Sequence, residues 1–198
     1  LNGTTKLEMI WVEPGTFTMG SPDSEAGRRS DENEHNVTLT KGFYLGKYEV
    51  TQAQYEAVMT GNNEGLNPTP SNWRNNPDHP VEMVSFNDIS TFIQLLNNQQ
   101  ASTLPAGWAY VLPTEAQWEY ACRAGTTSAY NWGDMISSVH ANYNWDGEYN
   151  TGIDFKKPRD VGQYAGNPWG FFDMHGNVFE WTMDAYKTLN SDFKIDPY

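Results

Sequence analysis

The chain has 198 residues, with 12 Lys and Arg against 25 Asp and Glu, a formal net charge of −13 and one cysteine. That charge excludes a phosphate-neutralising nucleic-acid groove and is ill suited to an anionic membrane surface. A lone thiol excludes an intrachain disulfide framework and an all-cysteine zinc site, and a chain of this length can bury a core without either.

Aromatic residues make up 14% of the sequence, too many for a disordered chain, and 17 Gly with 11 Pro impose frequent turns. One loop-rich domain spanning 1–198 is expected. No apolar run approaches the roughly 18 residues of a membrane-spanning helix, so membrane insertion is not expected. No signal peptide is visible, and the start at Leu1 rather than Met suggests an upstream segment, a leader among the options. The sequons Asn2-Gly3-Thr4 and Asn36-Val37-Thr38 matter only in a eukaryotic secretory setting.

In chain order, residues 8–20 read as strand, Pro-Gly turn, strand, with Ile10, Val12, Phe17 and Met19 as apolar positions. Residues 21–35 are polar without periodicity, a surface loop. Alternation at Val37, Leu39, Phe43 and Leu45 predicts a strand pair bent at Lys41-Gly42. Three short helices follow. Thr51 with Gln54 forms a capping box ahead of Tyr55, Val58 and Met59. Ser85 caps a helix with Ile89, Phe92, Ile93 and Leu96 on one face. Thr114 with Gln117 opens the third, which turns Trp118, Ala121 and Cys122 inward and stops at Gly125. Residues 124–168 carry little helix signal and are too long for an ordinary loop, so they are either functional or pinned. An aromatic block follows at 169–181.

Five ordered blocks carry a resemblance. They are Pro14-Gly15-Thr16-Phe17-Thr18-Met19-Gly20-Ser21, Tyr48-Glu49-Val50-Thr51, Pro80-Val81-Glu82-Met83-Val84-Ser85, the stretch Leu112-Pro113-Thr114-Glu115-Ala116-Gln117-Trp118-Glu119-Tyr120-Ala121, and Asp173-Met174-His175-Gly176-Asn177-Val178-Phe179-Glu180-Trp181. In this order and spacing the chain resembles the sulfatase-modifying-factor family of formylglycine-generating enzymes, over about residues 8–183. The resemblance implies an α+β, C-type-lectin-like fold low in regular secondary structure, with a C-terminal segment missing from this chain. In that family a copper ion on two cysteines oxidises a sulfatase cysteine to formylglycine, and the cysteines lie in the segment that follows the block ending at Trp181. Copper is therefore expected only if such a pair exists outside this chain. The chain is either a fragment or a member that has lost the chemistry. The expected pairing of terminal strands favours a fragment completed by a C-terminal segment or a second chain.

The resemblance also implies calcium. One site maps onto the side chains of Asp173 and Glu180 and the main-chain oxygens of Gly176 and Val178. The residues agree with this, because Ca²⁺ takes six to eight oxygens on a bent backbone. A second set resembles Asn142, the Tyr143 carbonyl, Asp154 and Phe155. Asp146-Gly147-Glu148 does not fit an EF-hand.

The four histidines, His35, His79, His140 and His175, form no ligand spacing and read as structural residues. Cys122 reads as core, because its helical spacing from Trp118 turns it inward. The aromatics Trp169, Phe171, Phe172, Phe179 and Trp181 are either core or a stacking platform for a peptide or a sugar. Where Phe179 stands, the family usually carries a Trp near its substrate groove. The first functional expectation is a non-catalytic, calcium-stabilised structural or binding module outside the cytoplasm, with a protein or peptide partner. The alternative is the N-terminal portion of a copper-dependent formylglycine-generating oxidase.

Overall fold

The computed structural model describes residues 1, 5–144, 153–186 and 191–198. Five strands, β1 (Met9–Val12), β2 (Gly15–Met19), β3 (His35–Leu39), β4 (Phe43–Gly46) and β5 (Lys194–Ile195), accompany three helices, α1 (Gln52–Met59), α2 (Phe86–Gln100) and α3 (Glu115–Arg123). The fold is small and mixed α+β, most of it irregular.

The strands at both predicted turns form, but not as local hairpins. β1 pairs antiparallel with β4, and β2 pairs antiparallel with β3. Val12 faces Phe43 and Gly15 faces Leu39, so residues 13–14 on one arm oppose 40–42 on the other. This one-residue excess is a bulge at which a single long hairpin bends into two sheets. Pro14 sits at the bend, where its missing N–H leaves no ladder bond unmade. The two halves serve different cores. Val12 packs with Ala121, Cys122, Phe171 and Met174, whereas Met19, Val37 and Leu39 pack with Ala116; Phe43 and Tyr120 touch both groups. β5 adds parallel to β3, pairing Val37 with Lys194. Alternation does not announce so short a strand.

All three helices begin as their sequences predict. Thr51, Ser85 and Thr114 each accept the amide of the third helical residue, and Gln54, Asp88 and Gln117 each reach back to the capping residue's amide. α3 ends one residue before the predicted stop, with Ala124 in the left-handed conformation at φ 48°. α1 and α2 pack together through Tyr55 and Phe92, whose rings stack at 5.3 Å, and through Val58, Met59 and Leu96.

The stretch after α3 is pinned. Asn167, 6% exposed, donates from Nδ2 to the carbonyls of Ala121 and Cys122 and accepts at Oδ1 from the amides of Trp169 and Phe171. One side chain thereby ties the end of α3 to the aromatic block. Within that block Phe171 is core and Trp169 packs against it, Phe172 lies against Tyr48, and Phe179 and Trp181 face outward. Asn2-Gly3-Thr4 and Asp146-Gly147-Glu148 lie outside the described residues.

Candidate metal centre

The block 173–180 turns tightly because it uses left-handed backbone at Asp173 (φ 60°) and Asn177 (φ 69°). Asp and Asn tolerate that region better than other side chains with a Cβ. Gly176 lies against the main chain of Asn142 so closely that a Cβ on it would stand 2.3 Å from the Asn142 carbonyl oxygen, so only glycine fits. The Asn177 amide donates to that same oxygen at 2.6 Å.

Asn177 is the junction of the site. Its Nδ2 donates to Glu49 Oε2 at 2.7 Å and to the Arg159 carbonyl at 3.2 Å. Its Oδ1 accepts from the Arg159 amide and from Asn142 Nδ2. Glu49, 7% exposed, also accepts from the Val178 amide at 3.2 Å. The Tyr48-Glu49-Val50-Thr51 block therefore joins the site, although reading the sequence assigns Glu49 no role there. Its only signal is an acid inside an otherwise structural block.

Three carboxyl groups meet here, and all three are raised by burial. Glu49 is pushed up to about 9, first by burial and then by the charges of Glu180 and Asp173, against the two hydrogen bonds it accepts. Asp173 is also raised by burial, partly offset by the Gly162 amide that donates to Oδ2 at 2.6 Å. Glu180 keeps exposed surface as a residue, yet protein atoms crowd its carboxylate. Desolvation raises it, the Trp118 indole N–H at 3.0 Å opposes the rise, and Asp173 adds to it. No Lys or Arg is among the charges that shift these three groups. Asp173 Oδ1 is buried without a hydrogen-bond partner. A buried carboxylate oxygen with no donor is costly unless a cation or a water meets it.

This donor set fits a hard cation: carboxylate oxygens of Asp173 and Glu180, an unspent lone pair on Asp173, and main-chain oxygens on a bent backbone. Among the described residues no three His, Cys, Asp or Glu side chains are gathered as a metal cluster. The expected site draws on two carboxylates and carbonyls, so it does not require one. The Gly176 carbonyl accepts from the Val178 amide at 3.0 Å and would share that lone-pair region with an ion.

The other set is less gathered. Asn142 bonds the Lys157 carbonyl and Asn177, Asp154 Oδ1 turns back onto the Lys156 amide, and the Phe155 ring lies 4.5 Å under the Arg159 guanidinium. Tyr143 follows Asn142, with residues 145–152 outside the described part. Asn142 belongs through Asn177 to the neighbourhood of Asp173, whereas among the described residues no hydrogen bond connects Asp154 to it.

The remaining candidates are structural. Cys122 is buried, with Sγ 3.6 Å from His175 Nε2 and from the Met174 carbonyl. Burial pushes its thiol up to about 12, and burial brings His175 down to about 4, so this pair is a neutral thiol beside a neutral imidazole. That is the opposite of an activated thiolate. His35 meets the Asn33 carbonyl, His79 meets Asp160, and His140 meets Ser137.

Folds of this kind, a few short strands and three capped helices carrying long pinned loops, define the C-type-lectin-like class of the sulfatase-modifying factors. The chain belongs to the family described as the sulfatase-modifying factor enzyme 1-like domain, whose model matches residues 2–195. It is 27% identical to the formylglycine-generating enzyme of Bos taurus over 235 aligned positions, covering 93% of this chain and 59% of that protein. It is 38% identical to the formylglycine-generating enzyme of Mycobacterium tuberculosis over 127 positions, covering 60% of this chain and 37% of that protein. The chain thus spans well under two thirds of these relatives' length. Among solved structures, PvdO from Pseudomonas aeruginosa superposes with a TM-score of 0.75 at 28% identity, covering 92% of this chain and 72% of that one.

Proposed function

We propose that this chain is a calcium-stabilised, non-catalytic structural or binding module on a formylglycine-generating-enzyme scaffold, working outside the cytoplasm. The observation that carries the reading is the trio Glu49, Asp173 and Glu180, all raised by burial, Glu49 also by the other two charges and Glu180 also by Asp173, with Asp173 Oδ1 left unpartnered. Calcium held by Asp173, Glu180 and the carbonyls of Gly176 and Val178 would neutralise that charge. It would act as a tie between loops and supply no chemistry. Asn142, Tyr143, Asp154 and Phe155 form a second, looser candidate set. Calcium sites of modest affinity fill at extracellular millimolar concentrations, which agrees with a location outside the cytoplasm.

The chain's one thiol is core, so it brings no two-thiolate copper site of its own. Phe179 and Trp181 are exposed next to Glu180, which suits a protein or peptide partner, or a completing segment or second chain. A second reading, a copper-dependent oxidase acting on a sulfatase cysteine, is favoured by the family itself and requires a cysteine pair outside these 198 residues.

Calorimetric titration of metal-stripped protein with Ca²⁺, together with melting in calcium and in excess chelator, tests the first reading. Binding at a hundred times Kd adds about 2.7 kcal/mol by linkage, so Tm should rise by several degrees. Asp173→Asn should abolish most of that rise. An unchanged Tm with chelator rejects calcium. Copper uptake with thiol-dependent oxygen consumption by the longest natural form of the protein would instead establish the oxidase.

A further inference from the structure

We propose that the outer face of the β1–β4 sheet is a binding site for neutral carbohydrate, built on Trp11, Tyr44 and Trp108. Trp11 and Tyr44 are direct cross-strand partners. Their neighbours Ile10, Val12, Phe43 and Leu45 pack into the core, so alternation sends Trp11 and Tyr44 to solvent. Trp108 arrives from the loop before α3 and closes the group. Ring centroids stand 5.1 Å (Trp11–Tyr44), 5.6 Å (Tyr44–Trp108) and 6.2 Å (Trp11–Trp108) apart, tilted at 49–60°. The three rings stay 39%, 51% and 45% exposed, although they come from three separate segments.

The platform is preformed. Trp11 lies on Gly42, where a Cβ would come within 2.2 Å of its ring. Tyr110, two residues from Trp108, is held to α2 by reciprocal bonds with Asn97 at 2.8 Å. Rings fixed in this way lose little side-chain freedom when a ligand arrives.

Charge selects the occupant. Residues 9–12, 42–46 and 104–112 contain no charged side chain, within a chain of net charge −13. A neutral patch in a negative field suits a neutral ligand. It offers an anion no cationic side chain, and two copies or an anionic bilayer would approach against repulsion. Among the described residues no protein group takes the indole N–H of Trp11 or Trp108 or the hydroxyl of Tyr44. Flat negative ring faces bordered by unspent donors match a pyranose. Its C–H face lies on a ring, and its hydroxyls meet the indole and phenol groups.

The test is calorimetry and tryptophan fluorescence with four neutral probes: cello-, malto-, manno- and chitohexaose. At least one should bind saturably. Trp108→Ala, which leaves every core cluster intact, should weaken that binding roughly tenfold with an unchanged melt, the loss of one stacking partner. Trp73→Ala, an exposed Trp outside the patch, should leave it unchanged. The proposal is overturned if none of the four probes binds, or if Trp108→Ala and Tyr44→Ala bind as the parent does. It is also overturned if Trp108→Ala abolishes self-association in sedimentation, or phosphatidylcholine-vesicle binding, while glycan binding is absent.

Discussion

Taking the Glu49 carboxyl out of water beside Asp173 and Glu180 pushes its pKa up to about 9, far above its value in an unfolded chain. Between about 4.5 and 9 the folded, metal-free state therefore binds more protons than the unfolded state, and its stability falls as pH rises through that window. Calcium favours the ionised carboxylates and so works in the opposite direction. Melting in chelator should lose on the order of 1 kcal/mol, roughly 2–4 °C, across the upper part of that range, and added calcium should flatten the slope. Glu49→Gln should lose about 1 kcal/mol at low pH, because its amide nitrogen cannot accept the hydrogen bond that an oxygen did. It should weaken less steeply as pH rises, because only Asp173 and Glu180 are left with carboxyls raised by burial, so the two profiles should converge toward pH 9. Cys122 makes a second residue-scale prediction. With its thiol pushed up to about 12 and its side chain buried, an aromatic disulfide reagent at pH 8 should label it only at the rate of unfolding. Fast labelling of the folded protein would contradict its place in the core.

At the scale of elements, capping was legible residue by residue because it is local. A hydroxyl and a Gln or Asp three residues later satisfy amides in their own turn whatever the rest of the chain does. Replacing Thr114 by Ala should cost about 1 kcal/mol, read as a shift in denaturant midpoint with unchanged slope. Pairing was not legible in the same way. Alternation at 8–20 and 37–48 marked the strands but not their partners, since a local turn and a bulge leave the same apolar spacing. The partners were decided by two separate cores, one under Val12 and one under Met19, which a local hairpin could not reach together. Asn167 was invisible for a similar reason: its four bonds join α3 to 169–171 across more than forty residues. Asn167→Ala should cost about 2–4 kcal/mol, because four buried main-chain groups lose their partner. Urea unfolding measures it.

Over the whole molecule, the hub at Asn177 joins 49, 142 and 159, the Val178 amide adds a bond to Glu49, and with the Gly162–Asp173 bond they hold the irregular half of the chain to the hairpin's continuation at 47–50. The backbone hydrogen bond from Phe172 to the Lys47 carbonyl lies beside it. Asn177→Ala should therefore lower Tm and also weaken calcium binding, whereas Asn167, whose bonds go to the end of α3 and to 169–171 and not to a carboxylate, should on replacement by Ala lower Tm alone; paired melting and calcium titration separate the two.

The order of blocks, the three caps, the acidic charge and the inward face carrying Cys122 followed from the sequence by itself, because each depends on neighbours a few residues away. The burial of Glu49 against Asp173 and Glu180, the close approach of Gly176 to Asn142, and the division of the aromatic block into a buried Phe171 and an exposed Phe179 were decided only by the tertiary structure. Desolvation and close packing depend on segments far apart in the chain, as Glu49 is from Glu180 and Asn142 from Gly176, and no local pattern carries that information.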